Sequence, residues 1–301
     1  MQAARTPFTF TRALAMLAVA AVLVASAALT SSRGTRAAAG DAGGRPVTVS
    51  EREWGTLDGQ QVNLYTLTNR RGMQVAISNY GGIVQAIRAP DRGGRLQDVA
   101  LGFNDLADYV AKSPYFGAIV GRYANRIANG TFVLDGVTYH IPINNPPNAL
   151  HGGTVGFDKH VWQATEVTQG AAAGLDLELV SPNGDMGFPG TLTVHVTYLL
   201  TPDDQMEIHY HATTDAPTVV NLSNHTYWNL AGEGSGTVEN QLMQINADSY
   251  TPVDSVSIPT GAIESVAGTP MDFRRPAPIG AHLRDDFQQL LNVQGYDHNW
   301  V

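Results

Sequence analysis

The chain contains no cysteine. Disulfide cross-links, thiol chemistry and a lipid-accepting cysteine are therefore excluded, and stability must come from the packed core alone. Acidic side chains are missing from the N-terminal region, where the first is Asp41. Charge is sparse throughout, at 15% of residues, and negative on balance, with a net charge of −9. A polyanion would be repelled, so nucleic acid is excluded as a partner, whereas neutral ligands are not. The sequence also lacks repeats, low-complexity tracts and internal linkers. Helical patterns are few: Asp105 to Lys112 and His282 to Leu291 each read as about two turns.

What the N-terminus does have is a secretory pattern. Arg5 and Arg12 precede the apolar run Ala13 to Leu29, and Ala37-Ala38-Ala39 then leads to Gly40. This is the order of a signal peptide, with cleavage expected before Gly40 and Ala25-Ser26-Ala27 as a second possible cut. The run falls short of the ~20 residues a spanning helix needs, so cleavage is favoured over an uncleaved anchor. Export to the periplasm or the medium follows, with no lasting membrane association. Removal of residues 1–39 takes four of the 18 basic side chains, Arg5, Arg12, Arg33 and Arg36, and makes the mature chain more acidic. The domain reading is a signal peptide over 1–39, a flexible lead-in over 40–49 and one domain over 50–301.

Within that domain the apolar residues repeat every second position. Val62 to Thr68, Met73 to Ser78 and Ile83 to Arg88 read as strands, the last ending at the turn cluster Ala89 to Gly94. Phe132 to Leu134 and Val137 to Ile141 flank Asp135-Gly136, a type I′ hairpin signal. Leu192 to Leu200 and Met206 to Thr213 flank a second turn, Thr201 to Gln205. Val219 to Leu222 and Gln241 to Ala247 are further candidate strands. Many short strands with Gly, Pro and Asn/Asp punctuation predict an all-β sandwich or barrel with few short helices.

Polar clusters fall between these strands. Asn224-His225-Thr226-Tyr227-Trp228-Asn229-Leu230 sets an imidazole among amides, hydroxyls and aromatic rings. Such a wall suits a sugar, whose hydroxyls need paired donors and acceptors and whose apolar face stacks on an aromatic ring. The imidazole is the common side chain able to give or take a proton near neutrality. Gly121 to Ile127 adds Arg122, Asn125 and Arg126; Asn148 to Gly153 adds His151 beside two glycines; Met271 to Arg274 adds Asp272; Gly295 to Trp300 ends the chain on a polar and aromatic mixture.

The order and spacing of these clusters resemble the aldose 1-epimerase (galactose mutarotase) family. The resemblance runs from about Ser50 to Val301, and also takes in Asp98 to Phe103, Gly156 to Lys159 with Trp162, and Ser181 to Gly190. It implies a galactose-mutarotase-like β-sandwich that interconverts the α and β anomers of free aldoses such as galactose and glucose, with no metal and no organic cofactor. By motif, His225 resembles the general acid aimed at the ring oxygen, and His151 the second active-site imidazole. Arg126, with Asn125 beside it, and Asp272 resemble the groups that bind sugar hydroxyls. The family's general base is a Glu beyond the Gly295 to Trp300 motif, and the sequence stops at Val301. The expectation is a C-terminally incomplete chain whose activity is impaired, with a non-catalytic sugar-binding module as the alternative. His209-Tyr210-His211 puts two imidazoles on one strand face at a spacing seen in some zinc sites, without an evident third ligand. A hydrolase ranks lower, because it would need a pair of carboxylates and Asp272 is the one carboxylate placed in the cleft. A phosphosugar enzyme would favour more cationic groups than Arg122 and Arg126.

Overall fold

The computed structural model describes residues 46–301. The signal-peptide reading of 1–39 and most of the lead-in lie outside the described residues. The last two positions of the expected lead-in are already strand, because β1 spans Thr48–Leu57. It is followed by β2 (Gln60–Thr68), β3 (Gln74–Ser78), β4 (Val84–Pro90) and β5 (Leu96–Asp98), a five-stranded antiparallel meander. β4 runs through Ala89 and Pro90, beyond its expected stop, because both pair with β5 at the sheet edge, where a proline costs no central ladder bond.

The helix α1 (Leu106–Lys112) starts where expected, with the Asp105 carboxylate accepting from the Asp108 N–H. Then come the short ribbons β6 (Ile119–Val120) and β7 (Arg126–Ile127), the hairpin β8 (Thr131–Leu134) and β9 (Val137–His140), and β10 (Ala149–Leu150). Asp135 and Gly136 both have positive φ, as the type I′ signal requires. The second sheet is antiparallel, in the order β11 (Gln163–Gln169), β12 (Ala172–Ser181), β13 (Leu192–Leu200) and β14 (Met206–Thr214). β15 (Ser223–Asn224) returns to pair with β6.

Two sheets share one core. Leu67, Val75, Ile77 and Ile87 of the first pack in the same cluster as Leu175, Leu177, Val194, Val196 and Tyr198 of the second. Each fully buried aliphatic side chain contributes roughly 1.5–3 kcal/mol, which lets a chain without disulfides hold two sheets face to face. The Tyr198 hydroxyl stitches the layers by donating to the Gly82 carbonyl at 3.0 Å. The all-β reading holds. Three details differ: Val219 to Leu222 makes isolated bonds rather than a strand, only Leu242–Met243 of the next candidate is strand, and the last helix forms over Gln288–Val293.

Candidate active site

Two short ribbons build the site. β7 pairs with β10 so that Ile127 faces Ala149 and Arg126 faces Leu150. One step further along the same register, Asn125 faces His151. Both backbones leave the β region there, with φ of 63° at Asn125 and 51° at His151. The His151 N–H donates to the Asn125 carbonyl at 3.0 Å, and the Asn125 N–H donates to His151 Nδ1 at 3.0 Å. Gly152 follows with φ of 92°, and a Cβ there would lie 2.0 Å from the Gly121 carbonyl oxygen, so only glycine lets the two loops close up.

The second ribbon, β6 with β15, delivers His225. Asn224 faces Ile119, the His225 N–H donates to the Ala118 carbonyl, and the Gly117 N–H donates to the His225 carbonyl. A Cβ on Gly117 would sit 2.1 Å from the Val84 carbonyl oxygen, and φ there is 67°, so glycine is again required. The two imidazoles meet edge to face, with ring centres 5.1 Å apart and planes at 87°.

Asn125, Arg126, His151, His225, Tyr227 and Asp297 line one hollow of about 770 Å³. That is within the roughly 300–1,000 Å³ of small-molecule sites. Arg126 is aimed by neighbours: its Nε donates to Asn145 Oδ1 at 3.1 Å, and its Nη1 donates to Asn125 Oδ1 at 3.1 Å. Its Nη1 also lies 3.9 Å from Asp297 Oδ2.

Electrostatics separate the two histidines. Burial, then the fields of His225, Arg126 and Lys159, push His151 from 6.5 down to about 3. It is therefore neutral near pH 7. Since Nδ1 accepts a hydrogen bond, the proton sits on Nε2, and His151 is a fixed donor rather than a proton carrier. His225 is also lowered by burial, but a hydrogen bond to its own backbone and the charges of Asp297 and Asp158 pull the other way.

One contribution to the pH dependence of folding follows from His151. The unfolded chain binds a proton near 6.5 that the folded chain binds only near 3. This group's contribution is full above that upper value and is lost as pH falls from it toward the lower one. The slope is at most ~1.4 kcal/mol per pH unit. His151→Gln keeps an uncharged donor and removes the titration. Urea unfolding at about pH 7 and about pH 4.5 should show the variant losing on the order of 2 kcal/mol less than the parent. Equal losses would place the acid sensitivity elsewhere.

Of the expected site residues, His225, His151, Arg126 and Asn125 come together. Asp272 lines a different hollow, of about 780 Å³, with Arg274, Arg275 and His282. Its carboxylate accepts from Arg274 Nη2 at 2.8 Å, and that bond first of all holds it down at about 2. The expected sugar wall over Asn224 to Leu230 is also divided. His225 and Tyr227 face the hollow, while Asn224 donates to the Gly117 carbonyl and accepts from both N–H and hydroxyl of Thr226. Asn229 is buried and holds Gln241 and the Ala231 N–H, and Trp228 bridges to Ala100. In an extended segment alternate side chains point to opposite sides, so one motif divides between cleft and scaffold. Tyr115, Asp297 and Tyr296 line the hollow without having been singled out. Asp297 and Tyr296 lie in a motif that was; the signal near Tyr115 is the preceding Pro114, a turn former that the motif reading passed over. His209 and His211 lie on one side of β14, with His211 opposite His195. Among the described residues no group of three His, Asp or Glu side chains is arranged to hold a metal ion.

Comparison with known proteins gives the same neighbourhood. The Aldose 1-epimerase family model matches residues 63–301. Galactose mutarotase of Bos taurus is 46% identical over 228 residues, which cover 76% of this chain and 64% of that protein. The chain thus matches a little under two thirds of the length of this mammalian relative. Aldose 1-epimerase of Escherichia coli (strain K12) is 43% identical over 245 residues, 81% of this chain and 69% of that one. The crystal structure of galactose 1-epimerase from Lactobacillus acidophilus NCFM superposes with a TM-score of 0.76 at 32% identity, covering 84% of this chain and 73% of the other. With a galactose-mutarotase-like sandwich and a family match across most of its length, the chain belongs to the aldose 1-epimerase family.

Proposed function

We propose that the hollow between the two ribbons binds a free aldohexose and interconverts its α and β anomers. The carrying observation is the edge-to-face pair His151 and His225, 5.1 Å apart and beside Arg126 in one hollow. Ring opening needs a proton on the ring oxygen and loss of the proton from the anomeric hydroxyl. His225, in its protonated form, donates to the ring oxygen as the C1–O5 bond breaks. The anomeric proton passes to a carboxylate, and the one lining this hollow among the described residues is Asp297. The aldehyde forms, C1 turns about the C1–C2 bond, and the ring hydroxyl adds to the other face. Both protons then return, leaving the side chains as they began. His151 Nε2–H and the Arg126 guanidinium hydrogen-bond to sugar oxygens throughout. An acid and a base of this kind each contribute about 10²–10⁴-fold.

The test is polarimetric. Fresh α-D-glucose or α-D-galactose should relax to the anomeric equilibrium well above the spontaneous rate when the purified chain is added. Calorimetric binding of the sugar without faster relaxation would instead support a non-catalytic sugar-binding module. The N-terminal pattern of Arg5, Arg12 and the run Ala13 to Leu29 supports export as part of the same proposal. Sequencing the N-terminus of protein recovered outside the cytoplasm should then begin at Gly40.

A further inference from the structure

Tyr115 touches both imidazoles and belongs to neither ribbon. Its ring meets His151 edge-on at 4.6 Å and 67°, and lies 5.7 Å from His225. From another side the Lys159 ammonium sits over the ring at 5.4 Å, itself held by Asp158 Oδ2 at 2.7 Å. The next residue, Phe116, packs edge-on against Tyr227 at 5.2 Å, and Tyr227 lies 5.0 Å from His225. The turn that carries this pair is fixed by its own bonds. The Phe116 N–H donates to Ser113 Oγ, the Ala118 N–H to the Tyr115 carbonyl, and the Gly117 N–H to the carbonyl of His225 itself.

The backbone of Tyr115 is in the left-handed region, at φ 67°. Glycine adopts that conformation freely and a tyrosine does not, so a bulky ring at this place comes at a cost in backbone strain. The ring, rather than the turn, is what the position supplies.

We propose that Tyr115 is a positioning residue: its ring, braced by Lys159, sets the mutual orientation of His151 and His225 and keeps water from the His225 imidazole. This rests on the mutarotase reading of the hollow but is measurable without it. The titratable groups around His225 are His151, Tyr115 and Tyr227, whose rings lie 5.1, 5.7 and 5.0 Å from its own, together with Asp297 and Asp158, whose charges favour its protonated form; Arg126 lines the same hollow. Burial is the largest influence lowering the His225 pKa, and the Tyr115 ring, 5.7 Å away, packs against the imidazole.

The experiment compares Tyr115→Gly with Tyr115→Phe in the full chain. The glycine variant removes the ring and relieves the backbone at once, so loss of folding is not its expected effect; a cooperative urea transition checks this. Two readouts follow. In NMR titrations the His225 imidazole should titrate nearer its ordinary value in Tyr115→Gly and as in the parent in Tyr115→Phe. In polarimetry kcat should fall about 10²-fold in Tyr115→Gly, the scale of a small misplacement of a catalytic group, with KM little changed. Tyr115→Phe should keep the parent kcat. Unchanged His225 titration and kcat in Tyr115→Gly overturn the proposal. So does a Tyr115→Phe loss as large as that of glycine, which would assign the work to the hydroxyl. If the parent itself does not speed anomer relaxation, the functional reading fails, and the His225 titration still decides the role of Tyr115.

Discussion

His225→Asn should slow catalysed anomer exchange by about 10³-fold, within the 10²–10⁴-fold that a positioned general acid contributes. The magnitude follows from the division of labour between the two imidazoles. His151 has its Nδ1 tied to the Asn125 N–H and is pushed down to about 3, so it carries no exchangeable charge near neutrality. His225 lies in the same hollow with no side chain among the described residues hydrogen-bonded to its ring, and carboxylates at Asp297 and Asp158 favour its protonated form against burial. In the proposed function it is therefore the group that delivers a proton to the ring oxygen and recovers it on closure. Asparagine preserves polarity and approximate size but has nothing to transfer. Sugar binding measured by calorimetry should fall only modestly, since Arg126, Asn125 and His151 remain. His151→Gln provides the contrast. A neutral donor replaces a neutral donor, so its loss in kcat should be much smaller. Equal losses in the two variants would mean that the imidazoles act as a single proton-carrying unit, and the fixed-donor role of His151 would be wrong.

What could be read from the sequence, and what could not, has a physical pattern. Strands β2 and β13 were legible because buried apolar residues alternate along them, β3 and β4 because short apolar runs lie between turn signals, and β14, which buries little, because it follows β13 across the Thr201 to Gln205 turn. β12 alternates as well, with Leu175, Leu177 and Leu179 on its inner side, but the leading Ala172-Ala173-Gly174 blurs its start, and β11 is too polar to announce itself. Val219 to Leu222 looks like a strand but only bridges, through Asn221, to Tyr123 and its neighbours. In the candidate site, residue identity was legible and side-chain direction was not. Asn125 and His151 are 26 positions apart, and what unites them is the register of a two-residue ribbon. Asp272 was read as a sugar ligand, yet Arg274 two residues later reaches its carboxylate first. A local ion pair needs no long loop to close, so it competes well against a distant site. Tyr115 reaches the hollow through tertiary contacts that no motif announced, and Asp297 lies in the Gly295 to Trp300 motif, which does not itself say which of its side chains turns inward.

The second large effect concerns folding. Arg122→Met should destabilise the protein by about 3–5 kcal/mol, the usual result of breaking a buried charged network by removing one partner. Arg122 is 1% exposed. Its Nη1 donates to the carbonyls of Pro189 and Gly190, both at 2.8 Å, and to Thr218 Oγ1 at 3.2 Å. Its Nη2 donates to the carbonyl and hydroxyl of Ser181, at 3.0 and 2.6 Å, and to the Pro182 carbonyl at 3.3 Å. The guanidinium also lies over the Phe188 ring at 5.5 Å, and Asp185 and Asp215 supply compensating charge. One cation thus holds the loop after β12, the approach to β13 and the segment before β15 against the segment that leads into Asn125 and β7. Methionine fills much of the volume but leaves several inward carbonyls without a donor, at roughly 1–3 kcal/mol for each that water cannot reach. Arg122→Lys should recover less than half of the loss, because a single ammonium cannot span both ends of that carbonyl set. Urea unfolding is the measurement: the midpoint should fall while the slope stays constant, the sign of lost stability rather than a changed denatured state. A loss below about 1 kcal/mol would mean that water enters and satisfies the carbonyls, and the loops around the site would then be held by their apolar contacts. Activity per folded molecule should survive in Arg122→Met under native conditions, since Arg122 points away from the hollow toward Ser181 and Gly190 while the register of β7 with β10 holds Asn125 against His151.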